Sequence, residues 1–131
     1  MPVRRTSRAV TQRYESELSP AGLKATQLSV LVATAARGGW TMSDLSAALG
    51  MDRTTLTRNV EPLRRRSLLR VGPGRDQRTR SVELTAKGHE VLAEVYPLWK
   101  NAQRRMRDRL GRTRWKRFLK DLSAVASLAH A

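Results

Sequence analysis

Apolar residues between Asp52 and Thr85 recur with two different spacings, which predict one helix followed by two strands. Leu56, Val60 and Leu63 stand at positions i, i+4 and i+7, the spacing of one face of an α-helix. At about 100° per residue, the opposite face carries Thr54, Arg58, Glu61 and Arg65, with Thr55 and Thr57 beside the apolar stripe. Short hydroxyls and an arginine can reach base edges and phosphates, whereas long apolar side chains cannot. This outer face is therefore suited to nucleic acid.

The predicted strands form a basic hairpin directly after that helix. Leu68 to Val71 and Arg80 to Leu84 each have the length and composition of a short strand. Gly72-Pro73-Gly74 is expected to begin the bend between them. A helix followed by a basic hairpin is the layout of a winged helix-turn-helix.

Two helices are predicted before this unit. The first runs from Ala25 to Arg37 and is expected to face inward with Leu28, Leu31, Val32 and Ala35. The second begins at Thr41-x-x-Asp44, which resembles a capping box, and ends at Gly50. Its packing residues against the next helix are expected to be Leu45, Ala48 and Leu49. Asp52 is expected to cap that next helix, which completes a helix, a short turn and a second helix.

The two ends of the chain predict further helices. Val3 to Leu18 has only sparse apolar positions, so we expect it to lie on a neighbouring helix or on a partner chain. Thr85 to Leu110 and a last helix from Thr113 carry long apolar faces and a basic outer surface. Together these helices hold more apolar surface than a small winged domain covers, which favours dimerisation. The alternative is that they fold back on their own domain.

The charge of the chain points to a polyanionic partner. The 131 residues include 26 basic and 11 acidic ones, a formal charge of +15 with a sequence pI of about 11.7. Nucleic acid is the first candidate and an anionic membrane surface the second. Only five of the basic residues are lysine, so the arginine bias also fits a genomic base composition. There is no cysteine and no apolar run of membrane-spanning length, which predicts a soluble, cytoplasmic protein without membrane partners.

The stretch from Asp52 to Gly88 resembles the MarR family of bacterial transcription regulators. The similar residues are D-R-T-T-L-T-R-N-V-x-P-L from Asp52, the basic run from Arg64 with L-L after it, R-D-Q-R from Arg75, and V-x-L-T-x-x-G from Val82. The likeness extends more weakly from about Val3 to the C-terminus. One position departs from the family: Ser67 stands where a glycine usually follows the basic run. A glycine there closes the helix in the left-handed conformation at little cost, whereas serine carries about 1 kcal/mol.

The resemblance implies a mainly α fold with a small β-wing: a winged helix-turn-helix domain plus N- and C-terminal dimerisation helices. We expect residues 1–131 to form a single domain. Its DNA-binding lobe would span about 24–88, and its dimerisation helices about 3–19 and 86–130. The implied function is that of a homodimeric, sequence-specific regulator of transcription, a repressor, on a pseudo-palindromic operator in double-stranded DNA. The expected DNA-binding residues are Arg53, Thr54, Thr55, Thr57, Arg58, Arg65, Arg75, Asp76, Arg78 and Arg80. In particular, the resemblance implies that Arg78 enters the minor groove and that Asp76 orients an arginine of the wing.

The resemblance also implies a small aromatic or anionic effector that binds between the DNA-binding lobe and the dimerisation helices and releases the operator. The candidate lining residues are Tyr14, Trp40, Tyr96 and Trp99, for which an ordinary core position is the competing interpretation.

Catalytic and metal chemistry are not predicted. His89 and His130 are the only imidazoles, and neither has a helical Asp or Glu spacing that indicates a metal site. No phosphate-binding glycine loop is present, so we expect neither a cofactor nor enzyme activity. Two other functions remain open: a non-specific, charge-driven nucleic-acid binder, and a winged helix that contacts only proteins.

Overall fold

The computed structural model describes residues 2–74 and 78–129, and it consists of six α-helices and three short strands within those ranges. In chain order the elements are α1 (Pro2–Leu18), a 3-10 turn (Ser19–Ala21), α2 (Ala25–Ala36), β1 (Trp40–Thr41), α3 (Met42–Leu49), α4 (Arg53–Arg65), β2 (Leu69–Pro73), β3 (Arg80–Leu84), α5 (Ala86–Leu110) and α6 (Arg112–Ala129). The predicted fold class, mainly helical with a small β-wing, is confirmed.

The hydrophobic core lies in the lobe formed by α2, α3, α4 and the sheet, with α1 and α5 packed against it. Its fully buried side chains are mostly leucines that come from different elements: Leu18, Leu31, Leu45, Leu56, Leu63, Leu68 and Leu69. Burial of each such side chain contributes about 1.5–3 kcal/mol. The predicted stripe of α4 is part of this core, so the orientation of that helix is fixed by packing.

The sheet is antiparallel, with the strand order β1-β3-β2. Trp40 pairs with Val82 on one side, and Val71 pairs with the same residue on the other. Strand β1 was not predicted, because a two-residue strand has no periodicity of its own. The strand predicted from Leu68 to Val71 extends further than expected: Gly72 and Pro73 pair with β3 and do not begin the bend. Proline is tolerated there because β2 is at an edge of the sheet within the described chain.

The inward faces of α2 and α3 differ from the predicted ones. Leu28 and Leu31 are buried as expected, but Val32, Ala35 and Ala48 are exposed. Val30 and Thr34 take the buried positions on α2 instead. This helix contacts α4 and β3 as well as α1 and α5, so its buried arc does not follow a single apolar stripe.

Helix α4 ends in a left-handed residue, although that residue is a serine. Ser67 has φ 62° and is the only non-glycine with positive φ in the described chain. The N–H of Leu68 donates to the carbonyl of Leu63 and that of Ser67 to the carbonyl of Arg64, at 2.9 Å each. This is a Schellman motif. The serine therefore keeps the helix ending that glycine would give.

Ser67→Gly is expected to raise the free energy of unfolding by about 1 kcal/mol, because glycine adopts a positive φ without the steric cost of a Cβ atom. Chemical denaturation at equilibrium measures the change. Ser67→Ala is the matched control, since alanine keeps the Cβ atom and should give no gain. Equal stabilisation by both substitutions would show that the backbone conformation is not the cause.

The terminal helices α1 and α6 each contact α5. Helix α1 packs along α5, and Leu18 at its end is fully buried. Helix α6 follows Gly111 and contacts α5, yet none of its described residues is buried. Its large apolar side chains Phe118, Leu119, Leu122, Val125 and Leu128 are exposed. The alternative in which both long helices fold back on their own domain is therefore wrong for α6.

Candidate nucleic-acid interface

Asp52 fixes the start of α4 as predicted. Its carboxylate accepts the backbone N–H of Thr55 at 2.7 Å. This hydrogen bond lowers the pKa of Asp52 below its ordinary value, because it is made to the charged carboxylate. A negative charge at a helix N-terminus is favourable because it opposes the positive end of the helix dipole. The cap thereby orients the first two turns of α4.

The outer face of α4 is exposed. Of the predicted DNA-binding residues on this helix, Arg53, Thr54, Thr57, Arg58 and Arg65 are exposed and Thr55 is half-buried. The hydroxyl of Thr57 donates to the carbonyl of Arg53 at 2.9 Å, so its oxygen remains an acceptor. The structure thus places the short hydroxyls and Arg58 on a solvent-facing surface.

Asn59 is a buried polar residue of α4 that the sequence analysis did not single out. Its amide nitrogen donates to the carbonyl of Thr55 at 2.8 Å, and its amide oxygen accepts from the hydroxyl of Thr26 on α2 at 2.7 Å. Both interactions are needed because an unpaired buried amide costs free energy. The signal in the sequence was a polar residue inside the Leu56-to-Leu63 apolar stripe. The hydrogen bond between Thr26 and Asn59 joins α2 to α4.

Glu61 neutralises the second half of the outer face. Its carboxylate forms two hydrogen bonds with Arg64, one of them 3.0 Å from Nε, and lies 3.7 Å from Nε of Arg65. The hydrogen bond to Arg64 lowers the pKa of Glu61 and raises that of Arg64. A carboxylate at this position also repels phosphate. Positive charge that is not paired within the helix is therefore concentrated toward its N-terminal half, at Arg53 and Arg58.

The wing is a two-stranded hairpin beside this helix. Arg70 of β2 and Glu83 of β3 form an ion pair across it at 2.8 Å. Near the tip, the N–H of Gly74 donates to the carbonyl of Thr79 at 2.9 Å, and Arg78 and Arg80 are exposed. Arg75 and Asp76 lie outside the described residues, so the predicted pairing of Asp76 with a wing arginine remains a prediction. The described part presents two arginines next to the hairpin bend.

Three of the four predicted ligand-binding residues meet at one crevice. Tyr14 of α1 and Tyr96 of α5 each stack on Trp99, with ring centroids 6.3 and 5.7 Å from it. Burial raises the pKa of Tyr14 above its ordinary value. The crevice has a volume of about 450 Å³ and is also lined by Leu28, Val32 and Leu49, which the sequence analysis did not include. None of its described lining residues is charged.

Trp40 does not line this crevice. It belongs to β1, its indole N–H donates to the carbonyl of Ala33 at 3.0 Å, and the guanidinium of Arg37 lies 3.8 Å from its ring centroid. The sequence did not indicate this position, because Trp40 directly precedes the cap residue of α3 and has no strand-like pattern around it. The structure therefore assigns Trp40 to the packing of the wing.

In residues 2–74 and 78–129 no three His, Asp or Glu side chains are close enough to share a metal ion. Over the same residues, no helix combines the length and apolar character needed to cross a bilayer.

The chain is similar to known transcription regulators. The MarR family model matches residues 21–79. The crystal structure of the M. tuberculosis transcriptional regulator MosR in complex with DNA is 40% identical, with a TM-score of 0.89 over 98% of this chain and 93% of that one. The transcriptional repressor CouR, bound to a 23-mer DNA duplex, is 25% identical, with a TM-score of 0.90 over 95% and 89%.

A curated relative matches a shorter segment. The transcriptional repressor MprA of Escherichia coli K12 is 45% identical over 56 residues, which are 42% of this chain and only 32% of that repressor. The family assignment therefore depends on the longer likeness to MosR, which includes the winged lobe and the terminal helices. With this fold and this likeness, the chain belongs to the MarR family of winged-helix transcriptional regulators.

Proposed function

We propose that this protein is a sequence-specific DNA-binding repressor that acts as a homodimer on a pseudo-palindromic operator. The observation that carries the proposal is the division of α4 into two faces. Leu56, Val60 and Leu63 hold the inner face in the core, while the outer face presents hydroxyls and arginine beside a basic hairpin. Charge supports it as well, since a protein of +15 is attracted to a polyanion.

In this proposal the first two turns of α4 enter the major groove. Thr54, Thr55, Thr57 and Arg58 would contact base edges, while Arg53 and Arg65 would contact phosphates. The wing would place Arg78 in the adjacent minor groove, with Arg75, Asp76 and Arg80 beside it. Arginine suits a narrow minor groove because its negative potential is strongest there. Two-fold symmetry then sets half-site centres about 10 base pairs apart, or a multiple of that distance.

Arg58→Ala is expected to reduce discrimination between operator and random DNA by roughly 1–3 kcal/mol, because a bidentate contact with a base edge would be lost. The operator is first selected from a random pool of duplexes. Affinities of wild type and variant for the selected and a scrambled duplex are then compared at about 0.15 M salt, where a specific regulator keeps a preference of at least 10³-fold.

Arg64→Ala is the matched control for this experiment. It removes the same charge from the same helix, but the guanidinium is already paired with Glu61. We expect it to change the affinities for both duplexes by the same factor. An Arg58→Ala variant with an unchanged specificity ratio would remove Arg58 from base recognition. A wild-type protein without a 10³-fold preference would favour the non-specific binder that the net charge alone supports.

We further propose that the protein represses transcription and that a small effector releases it from the operator. The similarity to proteins named as repressors, CouR and MprA, supports repression. The aromatic crevice supports a small aromatic effector, since its lining is mostly apolar and aromatic and its volume of about 450 Å³ suits a ligand of that kind. Such a ligand would shift the separation of the recognition helices and weaken operator binding. We place this activity in the cytoplasm.

Val32→Trp is expected to abolish the effector-induced release of the protein from operator DNA. A larger side chain on the exposed wall of the crevice would fill the space that the ligand needs. Compounds that release the wild-type protein from operator DNA are first found by fluorescence anisotropy and are then applied to the variant. Operator affinity without ligand should stay within about twofold, since surface substitutions usually change little. Release of the variant at wild-type ligand concentrations would place the effector elsewhere.

A further inference from the structure

The guanidinium of Arg66 connects the end of α4 to the turn that joins α1 to α2. Its Nη1 atom donates to the carbonyl of Gly22 at 3.3 Å, and its Nη2 atom to the carbonyl of Ala21 at 3.2 Å. The two acceptors precede Arg66 by 44 and 45 residues in the chain. Hydrogen bonds from a charged donor are stronger than neutral ones, and carbonyls at the end of a helical turn attract a cation. Arg66 therefore makes a defined contact although its side chain is exposed.

Both ends of this contact are held by their own backbone. Arg66 is the C-cap residue of α4, and its N–H donates to the carbonyl of Pro62 at 3.1 Å. At the other end, the N–H of Gly22 donates to the carbonyl of Ser19 at 2.9 Å and closes the 3-10 turn. Leu18, directly before this turn, is fully buried. The guanidinium thus joins two segments that are each fixed in the fold.

An arginine suits this contact better than a lysine does. The planar fork of a guanidinium presents several N–H groups in a fixed arrangement, so it can reach two neighbouring carbonyls at once. A lysine ammonium has the same charge but is a point donor on a flexible stem. The carbonyls of Ala21 and Gly22 therefore match the side chain of Arg66 in geometry as well as in charge.

This contact lies between the two functional parts of the molecule. Helix α4 carries the outer face proposed for the major groove, and α1 belongs to the helices expected to form the dimer. The chain passes from α1 into the DNA-binding lobe through the turn to which Arg66 is bound. In a two-fold symmetric dimer, a movement of α4 relative to α1 occurs in both protomers. Such a movement changes the distance between the two recognition helices twice over.

We infer that Arg66 is a positioning residue that sets the separation of the two recognition helices, and with it the half-site spacing that the dimer accepts. This inference rests on the proposed function, because it requires the homodimer and its two-half-site operator. Arg66 acts here through the position of α4 and makes no contact with base or phosphate. Specificity for spacing therefore depends on a residue outside the DNA-contacting face.

Distances between spin labels in the DNA-free dimer test the inference directly. The chain has no cysteine, so Thr57→Cys places one label on the exposed face of α4 in each protomer. In this background, Arg66→Gln is expected to shift or broaden the label-to-label distance by about 3 Å or more, roughly the rise of one base pair. An unchanged distance distribution in Arg66→Gln would overturn the inference.

Arg64→Gln is the matched control for the label experiment. It removes the same charge near the same helix end, but its guanidinium is paired with Glu61 and does not reach the 3-10 turn. The label-to-label distance should therefore stay as in the wild type. Equal changes in Arg64→Gln and Arg66→Gln would show that net charge is the cause, which contradicts the inference. A labelled protein that gives no distance is a monomer, and the proposed homodimer would fall together with the inference.

Binding to operators of altered spacing measures the functional consequence. Adding or removing one base pair between the half-sites changes their separation by about 3.4 Å and turns them by about a tenth of a helical turn. Arg66→Gln is expected to reduce the preference for the selected spacing about 3- to 10-fold, since hydrogen bonds to a charged group are lost at an exposed site. Arg66→Lys should reduce it as well, because lysine cannot bridge both carbonyls. Affinity for a single half-site should match that of Arg64→Gln within about twofold.

Three outcomes would contradict this role. If Arg66→Gln weakened the half-site and every full operator by one common factor and lowered the salt slope by about one, Arg66 would be a phosphate contact. If Arg66→Lys kept the wild-type spacing preference, the charge and not the two-carbonyl contact would matter. A wild-type protein that binds all spacings equally would leave nothing for Arg66 to set, whereas one that does not prefer its operator to random DNA would overturn the proposed function itself. Thermal unfolding of each variant separates a lost contact from a lost fold.

Discussion

Replacement of Leu122 and Val125 by glutamate is expected to make the protein monomeric and to lower its affinity for a two-half-site operator by about 100-fold or more. The two side chains are 49% and 62% exposed on α6 in the single chain, and we propose that a second copy covers them. Two charges placed in such an interface would lose their water without gaining partners. A monomer then binds one half-site and loses the advantage of bivalent contact.

Light scattering coupled to size-exclusion chromatography measures the assembly, and anisotropy with a full and a half operator measures the binding. Ser123→Glu with Ser127→Glu is the matched control, because it adds the same charge to another face of α6. That control should remain dimeric. A Leu122→Glu, Val125→Glu protein that is still a dimer would show that the interface lies elsewhere.

The proposal of dimerisation through this helix is based on the apolar residues that the single chain leaves uncovered. Phe118, Leu119, Leu122, Val125 and Leu128 are each at least 39% exposed and share one side of α6. Soluble monomers seldom expose contiguous apolar patches of this kind. Basic residues on the other faces of the helix keep the surface hydrated.

Gly88→Ala is expected to lower the free energy of unfolding by about 3 kcal/mol, the upper part of the range for overpacked sites. A Cβ atom at this position would lie 2.3 Å from the carbonyl oxygen of Leu68 and 2.4 Å from a methyl group of Leu84. The carbonyl cannot easily move, because it accepts hydrogen bonds from both the backbone N–H and the hydroxyl of Thr85, each at 3.1 Å. Gly88 is required where α5 crosses the start of the wing.

Gly72→Ala is the matched control for Gly88→Ala. It makes the same substitution in the wing, at a position where an added Cβ atom meets nothing within 4 Å. Urea denaturation should therefore show a much smaller change for Gly72→Ala. If both variants were equally stable, the close approach at Gly88 would not constrain the fold.

The sequence predicted those features that depend on local chemistry. Thr41 and Asp52 cap α3 and α4 as expected, and Thr85 caps α5 in the same way, because a short oxygen-bearing side chain satisfies the free N–H groups of a helix start. The apolar stripe of α4 was also read correctly, since Leu56 and Leu63 face a single core. Local spacing was sufficient in these cases.

The features that were missed depend on distant partners. Trp40 was grouped with the ligand-binding residues because it is aromatic, but its position is set by pairing with Val82, 42 residues later in the chain. Val32 was expected in the core and instead forms a wall of the crevice. Asn59 is buried because Thr26 supplies its partner. Hydrophobic spacing contains no information on such pairs.

The hydrogen bond between Thr26 and Asn59 makes α2 a physical link between the aromatic crevice and the buried side of α4. One side of this helix borders the aromatic crevice at Leu28 and Val32, and the other is bonded to the buried side of α4. The side-chain amide of Asn59 in turn donates a hydrogen bond to the carbonyl of Thr55, in the part of α4 that carries the exposed Thr54 and Thr57. We therefore propose that a molecule that pushed α2 from the crevice would also displace the backbone of α4 at Thr55.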